Sequence, residues 1–184
     1  MKNCPFASVS DCRDIESLAY AEEARANGVE EASILAALRR MSRDNSRTPM
    51  QWSGGANAGF TTGTPWIGLN PDWPVVNVEA ARADPDSVLH YARRLIALRR
   101  AHPGLIYGHF EPVDEENPRV FAYLRRHESE TLLVALNFGE REARLALPEG
   151  LPARLVSLLG NHPGRADPGA LRPWEAMIWA LAQP

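Results

Sequence analysis

The chain has 184 residues, of which 45% are hydrophobic and 23% charged, and its formal net charge at pH 7 is -3. This composition is typical of a globular protein with one domain or two small ones. Lysine and arginine are scattered, which argues against a nucleic-acid partner or a polybasic membrane surface, and no apolar run approaches the roughly 20 residues that span a bilayer.

The two cysteines, Cys4 and Cys12, lie near the start of the chain without a companion cluster of cysteine or histidine. A zinc site needs more ligands than these two residues supply. We therefore predict free thiols in a reducing compartment, a cytoplasmic location and no metal site.

Three helices are predicted in the first part of the chain. Residues 14–27 have acidic residues in the first turn and Gly28 just past the end, where a glycine stops a helix. Residues 30–41 follow, and their apolar face is formed by Ile34, Leu35, Leu38 and Met41. Residues 86–101 form the strongest pattern, whose apolar stripe is Val88, Leu89, Ala92, Leu95, Ile96 and Leu98.

The segment 42–85 lies between the second and third helices and is rich in Gly, Pro, Asn and Trp. It opens with "RDNSRTPMQW", residues 43–52, which has neither the alternation of a strand nor the spacing of an amphipathic helix. A loop of this length is usually functional or disordered, and disordered segments are poor in aromatic residues. Because this one contains Trp52, Phe60, Trp66 and Trp73, we predict that it is ordered and packed.

The second part of the chain changes to short runs with strand character. The runs are "LIYGHFEPV", "RVFAYLRR", "TLLVALNF", "EARLALP", "ARLVSLL" and "EAMIWAL", separated by turn residues. Phe121 and Tyr123 alternate as a buried face should, and so do Leu132, Val134 and Leu136. These runs predict an antiparallel β-sandwich that begins near Pro103-Gly104, with Trp179 in its core.

Generic motifs give no complete catalytic set. No nucleophile elbow, Walker loop or dinucleotide fingerprint is present. The five histidines do not have metal-ligand spacing, and the many carboxylates cannot be paired from spacing alone. Asp11, Asp14 and Glu16 are read as charges at the start of a helix.

The longer motifs resemble those of the α-glucosidases in glycoside hydrolase family 13. "RDNSRTPMQW", "NAGFTTGTPWIGLNPDW" and "DPDSVLHYARRLIALRRAHPGLIYG" carry the resemblance, and "NCPFASVSDCRDIESLAY" and "LRPWEAMIWAL" extend it to both ends. The groups most similar are the oligo-1,6-glucosidases and the trehalose-6-phosphate hydrolases. The resemblance therefore covers essentially the whole chain.

The resemblance implies an α+β fold in two parts. Residues 1–103 would be the end of a (β/α)8 barrel, comprising the region after its eighth strand and its last helix, and residues 104–184 a C-terminal antiparallel β-sandwich. In the family, the nucleophilic aspartate, the acid/base glutamate and the stabilising aspartate lie upstream of this region. We therefore expect no catalytic residue, cofactor or metal ligand in this chain, and we expect the stripe of the last helix to be exposed without the barrel strands.

The resemblance also implies one binding residue, Arg47 of "RTPMQW". In related enzymes this arginine grips the terminal glucose and pairs with an aspartate from an early barrel loop. Arginine suits this role because it offers five donors in a rigid fork. Arg43, Asp44 and Asn45 are candidates for the rim of the pocket, or they hold the loop together. Gln51 and Trp52 are expected to anchor it.

Three functional hypotheses follow. The chain is an inactive piece of an α-glucosidase that hydrolyses short α-glucosides, or one half of a split enzyme that needs a partner chain supplying barrel strands one to eight. Self-association through the exposed stripe of the last helix is also expected. Alternatively it is a free-standing carbohydrate-binding module, which should display an exposed aromatic platform on the sandwich. The predicted partners are small glucosides, with no nucleic acid and no membrane; the linkage of the substrate is not fixed by these residues.

Overall fold

The structure is a computed structural model that describes residues 3–151, 155–164 and 167–181. The chain divides into two compact units, Met1–Ser87 and Val88–Pro184. Within the described ranges, every helix is too short or too polar to cross a membrane.

The first unit contains the first two predicted helices. Helix α1 is Ile15–Ala26, and the side chain of Asp14 caps it by accepting the N–H of Ser17. Gly28 follows with φ of 78°, a left-handed conformation in which glycine ends a helix without strain. Helix α2 is Glu31–Met41. Both predictions are confirmed.

The apolar face of α2 is buried except at its end. Ile34 and Leu38 are buried and Leu35 is partly buried, whereas Met41, the last residue of the helix, is 77% exposed. Ile34 and Leu38 pack into the core of the first unit, and Leu35 packs against that core. Its buried members are Cys4, Phe6, Val9, Cys12, Ala21, Ala24, Ile34, Leu38 and Ile67. Both cysteines are free thiols, as predicted, and burial raises the pKa of each.

The segment 42–85 contains two short helical elements and a tight turn, all missed by sequence reasoning. The helical elements are the 3₁₀ turn Arg43–Ser46 and helix α3, Val78–Ala83. In the turn at Ala56–Gly59, Asn57 and Ala58 have φ of 48° and 55°, in the left-handed region. Gln51 is buried, and its side-chain amide donates to Asp72 and to the carbonyl of Val76. These bonds tie the start of the segment to its end, so Gln51 anchors the loop as predicted.

Three of the four aromatic residues predicted to pack in this segment are exposed, while Trp73 is partly buried. Trp52 is 49% exposed, Phe60 47% and Trp66 64%. The segment is held by its backbone instead, because the carbonyl of Ala58 accepts the N–H groups of Trp52 and Ser53 at 2.8 and 3.0 Å. Trp52 therefore contributes its backbone to the anchoring, and its ring remains half exposed.

The second unit begins with two helices, α4 (Val88–Ala101) and α5 (Gly104–Tyr107). Among the described residues seven strands follow: β1 His109–Val113, β2 Val120–His127, β3 Glu130–Asn137, β4 Ala143–Arg144, β5 Leu155–Gly160, β6 Ala170–Leu171 and β7 Ala176–Leu181. Five form one antiparallel sheet in the order β1-β2-β3-β7-β5, and β4 pairs with β6.

The two sheets enclose one core. Its buried members are Val113, Val120, Ala122, Leu124, Leu133, Ala135, Ala143, Leu145, Leu171, Met177 and Trp179. Ala143, Leu145 and Leu171 come from the β4–β6 side, so the core lies between the sheets as in a sandwich. Trp179 is 2% exposed, which confirms its predicted place in the core.

The predicted buried face of β2 is wrong. Val120, Ala122 and Leu124 point into the core, while Phe121 is 51% exposed and packs with Tyr123 at 5.4 Å between ring centres on the opposite face. The size of Phe121 and Tyr123 favours burial. Both faces of this sheet carry apolar side chains, however, so size does not identify the face that packs against the core. Central strand β3 shows the same feature, because residues 132–135 are all buried.

Helix α4 exposes its apolar stripe, as expected of the helix without barrel strands. None of its residues is buried; Val88 is 83% exposed and Ile96 53%. The helix contacts α5 and β5, and it therefore belongs to the second unit here. The domain boundary at 103–104 stays a prediction.

This exposed stripe predicts self-association of the chain, because exposed apolar patches favour contact between molecules. Ile96→Glu should weaken self-association, measured by sedimentation velocity, with the free energy of unfolding changed by no more than about 0.5 kcal/mol. Ala97→Glu adds the same charge one position along the helix and is the control. A chain that is already monomeric at every concentration, or two variants with equal effects, would contradict the prediction.

Candidate substrate-binding site

Arg47 lies just after the 3₁₀ turn Arg43–Ser46, in the first unit. Its Nη1 donates to Oδ1 of Asp14 at 3.2 Å and to Oδ1 of Asp44 at 3.4 Å. The side chain is 40% exposed. The guanidinium therefore has one end in contact with two carboxylates and another part open to solvent.

Asp44 is fully buried and connects three parts of the chain. Its Oδ2 accepts the backbone N–H groups of Arg13 at 2.6 Å and Asp14 at 3.0 Å, while its Oδ1 faces Arg47. Asp44 thus joins "RTPMQW" to the residues that precede α1.

Asp14 is 4% exposed and has two roles. Its Oδ2 caps α1 by accepting the N–H and the hydroxyl of Ser17, and its Oδ1 accepts from Arg47. Burial alone would raise the pKa of Asp14, but the hydrogen bonds from Ser17 and Arg47 outweigh it and lower the pKa below its ordinary value. The Ser42 hydroxyl lies 2.9 Å from that of Ser17 and accepts the N–H of Asp44.

The three candidate rim residues have different surroundings. Arg43 is exposed, pairs with Glu16 at 2.8 Å and lines a cavity of ≈ 320 Å³ beside α1 and α2. Asn45 accepts the N–H of Cys4 at 2.8 Å and donates to the carbonyl of Arg39 at 3.1 Å. The contacts of Asn45 and the burial of Asp44 favour the alternative that they hold the loop together. The rim itself stays a prediction.

Sequence reasoning identified Arg47 but missed its partners in this chain. The resemblance implied an aspartate from an early barrel loop, whereas here Asp14 and Asp44 contact the guanidinium. Asp14 was interpreted only as a helix-start charge, and that interpretation is also correct. Asp44 lies two positions after the capping Ser42, but this spacing does not show that Asp44 is buried or that it contacts Arg47.

Two family models match the chain. Residues 11–108 match the alpha amylase catalytic domain, and residues 110–178 match the maltogenic amylase C-terminal domain. The junction at residues 108–110 coincides with the start of β1.

Curated relatives match along nearly the whole chain. An oligo-1,6-glucosidase of Parageobacillus thermoglucosidasius is 38% identical over 190 residues, covering 100% of this chain and 34% of the relative. A trehalose-6-phosphate hydrolase of Escherichia coli is 41% identical over 182 residues, covering 97% of this chain and 33% of the relative. The chain thus spans about a third of the length of these relatives.

Solved structures agree with this fold. The trehalose-6-phosphate hydrolase of Bacillus licheniformis superposes with a TM-score of 0.92 at 34% identity, over 100% of this chain and 34% of that one. The isomaltulose synthase of Klebsiella sp. LX3 has a TM-score of 0.89 at 34% identity, over 99% and 34%. The chain therefore belongs to the alpha-amylase family, glycoside hydrolase family 13, with part of the catalytic domain of that family followed by its C-terminal β-sandwich.

Proposed function

We propose that this chain is the C-terminal part of a retaining α-glucosidase acting on short α-glucosides, in which Arg47 binds the terminal glucose. The proposal rests on Arg47 of the family motif. One end of its guanidinium contacts two carboxylates, and its side chain is 40% exposed. The names of its relatives support the substrate class: oligo-1,6-glucosidase, trehalose-6-phosphate hydrolase and glucan 1,6-alpha-glucosidase.

The proposed role follows from the chemistry of a retaining glycosidase. Two carboxylates act on the glycosidic bond, one as nucleophile and one as acid and base, and the glucose must be held still between the two steps. Fixed donors to the sugar hydroxyls perform this holding. The residues that would supply the two carboxylates are proposed to lie in the remaining two thirds of the enzyme, so this chain contributes binding rather than bond cleavage.

Two further statements belong to the same proposal. The buried free thiols Cys4 and Cys12 support a cytoplasmic location, since reducing compartments keep thiols unpaired. The missing two thirds would be supplied either in the same polypeptide or by a partner chain. A free-standing binding module is the alternative: Trp179 is buried, but Phe110 and Phe121 are 43% and 51% exposed on the sandwich and pack with Tyr123, so an exposed aromatic face is present.

The chain alone should not hydrolyse isomaltose, maltose, sucrose or an aryl α-glucoside. The test compares it with the joined enzyme, a fusion in which this chain replaces the matching third of the P. thermoglucosidasius oligo-1,6-glucosidase. We expect glucose release only from the joined enzyme. Analysis of the products formed from sucrose distinguishes hydrolysis from isomerisation of the sugar, the reaction that the name isomaltulose synthase implies.

Arg47→Ala in the chain alone is the contamination control. Turnover that persists in this variant comes from a contaminant. Turnover by the purified chain that Arg47→Ala abolishes would overturn the proposal that the chain lacks the catalytic carboxylates. A folded joined enzyme without any glucosidase or transglucosylase activity would overturn the proposed function itself.

A further inference from the structure

One carboxylate binds both ends of the connection between helices α4 and α5. Glu130 is the first residue of β3, and its Oε2 accepts the Nδ1–H group of His102 at 2.6 Å, while its Oε1 accepts the backbone N–H of Gly104 at 2.8 Å. His102 follows the last residue of α4, and Gly104 is the first residue of α5. The side chains of His102 and Glu130 are only 23% and 18% exposed. Hydrogen bonds to a charged group that is sheltered from water are stronger than neutral ones.

Two arginines bind the carbonyl groups of α5. Arg125 of β2 donates from Nε to the carbonyl of Gly104 at 3.2 Å and from Nη2 to that of Ile106 at 3.3 Å. Arg99 of α4 donates to the carbonyl of Leu105. A helix of four residues leaves its carbonyl groups without partners inside the helix, so these guanidinium groups satisfy them. The four side chains that hold the connection are called the clasp: Arg99, His102, Arg125 and Glu130.

Gly104 allows the carboxylate of the clasp to approach the backbone closely. A Cβ atom at this position would lie 3.1 Å from both Cγ and Oε1 of Glu130 and 3.3 Å from Cδ1 of Leu132. These distances are shorter than ordinary van der Waals contacts, so a side chain here would push the carboxylate away from His102. Glycine is therefore needed at residue 104 for the close approach of Glu130 to the start of α5.

Apolar packing beneath the two helices is incomplete. A groove of ≈ 500 Å³ lies between them and the outer face of the five-stranded sheet. None of the residues of α4 is buried, and the one buried residue of α5 is Gly104, which has no side chain. The core of the sandwich lies on the other face of the sheet. Burial of apolar side chains therefore contributes little to holding α4 and α5 on the sheet, and the polar contacts of the clasp contribute the larger part. The groove is lined by Leu95 and Leu105 from the helices and by Tyr123, Val134 and Ile178 from the sheet.

We propose that α4 and α5 form a strap, residues 88–107, which the clasp holds on the outer face of the sheet and which opens as a unit while the sandwich stays folded. The strap lies within residues 11–108, which match the catalytic domain, whereas Arg125 and Glu130 lie within residues 110–178, which match the C-terminal domain. The clasp thus joins the two family domains at their junction. Opening of the strap lets the last helix of the catalytic part move independently of the sandwich. This inference does not depend on sugar binding by Arg47.

Hydrogen exchange of the 184-residue chain at several low urea concentrations tests whether the strap opens separately. The amides of His102, Tyr107 and Gly108 are hydrogen-bonded within the strap or at its end, to the carbonyls of Leu98, Pro103 and Gly104. Opening of the strap exposes little surface, so the exchange of these amides should depend only weakly on urea. Exchange of the β3 amides requires unfolding of the sandwich and should depend steeply on urea. Equal urea slopes for the two sets of amides would overturn the separate opening of the strap.

Glu130→Ala should speed the exchange of the strap amides by roughly tenfold to a hundredfold, because two hydrogen bonds to a charged group are lost. Glu111→Ala is the matched control. Glu111 also binds with both oxygens, to Arg126 at 2.6 and 3.3 Å, but it is paired with Leu124 on the core side of the sheet, so its contacts persist when the strap opens. The control should change the strap exchange by less than about twofold.

Glu130→Gln covers the case in which the alanine variant does not fold. Glutamine keeps an acceptor for the N–H of Gly104 but loses the charge, so the strap amides should exchange at least about threefold faster than in the wild type. Acceleration no greater than in Glu111→Ala would overturn the role of Glu130 in the clasp.

The pH dependence of strap exchange gives a second readout. Burial raises the pKa of Glu130, but the hydrogen bonds from His102 and Gly104 outweigh it and lower the pKa below its ordinary value. The contribution of Glu130 is therefore fully present above the ordinary pKa of a glutamate and is lost as the pH falls through the lowered pKa. The other charged residues around it are Arg99 from α4, Arg125 and His127 from β2 and the exposed Glu128 in the adjoining turn.

The exchange of the wild-type strap, corrected for the intrinsic effect of pH on amide exchange, should accelerate as the pH falls into this range. Arginine and histidine carry positive charge there, so the loss of the Glu130 charge is the change that weakens the clasp. Glu130→Gln has no such charge to lose, and its corrected strap exchange should stay flat. Identical profiles for the wild type and Glu130→Gln would overturn the proposal that the Glu130 carboxylate holds the strap.

Discussion

Arg47→Lys in the joined enzyme is expected to lower kcat/KM by roughly one to two decades, because the loss of one charged hydrogen bond in a closed pocket costs about 1.5 to 3 kcal/mol. Lysine retains the charge but cannot offer two parallel N–H groups to neighbouring oxygens. The melting temperature should barely change, since the bonds of Asn45 and Gln51 hold the loop without Arg47.

Steady-state kinetics with isomaltose and a thermal melt of the same preparation test this prediction. Arg43→Lys is the control, since Arg43 is an exposed arginine four residues earlier and pairs with Glu16. If Arg47→Lys lowers the melting temperature strongly while the folded fraction keeps its activity, Arg47 is a structural residue. The motif would then serve the loop rather than the sugar.

Trp179→Ala is expected to lower the free energy of unfolding of the sandwich by about 3–5 kcal/mol, the usual cost of removing a large aromatic side chain from a core. Trp179 is 2% exposed and lies on β7 between β3 and β5, so the surrounding strands cannot collapse into the space. Urea unfolding monitored by circular dichroism measures the change.

Trp174→Ala is the matched control for this prediction. Trp174 precedes the same strand but is 55% exposed, and its removal should change the free energy of unfolding by about 0.5 kcal/mol or less. Equal losses in the two variants would mean that the core is not where the structure has it.

Local signals predicted the elements of this fold better than their faces. Helix α1 has clear end signals, an acidic cap at Asp14 and a glycine at Gly28, and α2 has a clear apolar face; both helices lie within a residue or two of the expected bounds. On β2, however, the large residue Phe121 is exposed and the small residue Ala122 is buried. Which face is inside depends on the partner layer, and a single strand does not contain that information.

The candidate site shows the same division between local and distant information. Arg47 was identified from its motif, but its contact with Asp14 joins residues 33 positions apart, and no spacing rule predicts such a contact. The aromatic content of the segment predicts that Trp52 and Trp66 are packed, because disordered segments are poor in aromatic residues. The exposure of these rings depends on the residues that pack against the loop, and the amino-acid composition of the loop does not contain that information.

Binding of a glucose-shaped iminosugar to the joined enzyme tests the central claim most directly, because it measures the grip on the sugar without bond cleavage. Isothermal titration calorimetry should show that Arg47→Lys raises Kd by roughly tenfold to a hundredfold, with Arg43→Lys close to the unchanged enzyme. An unchanged Kd for Arg47→Lys in a folded enzyme would contradict the claim that Arg47 holds the terminal glucose.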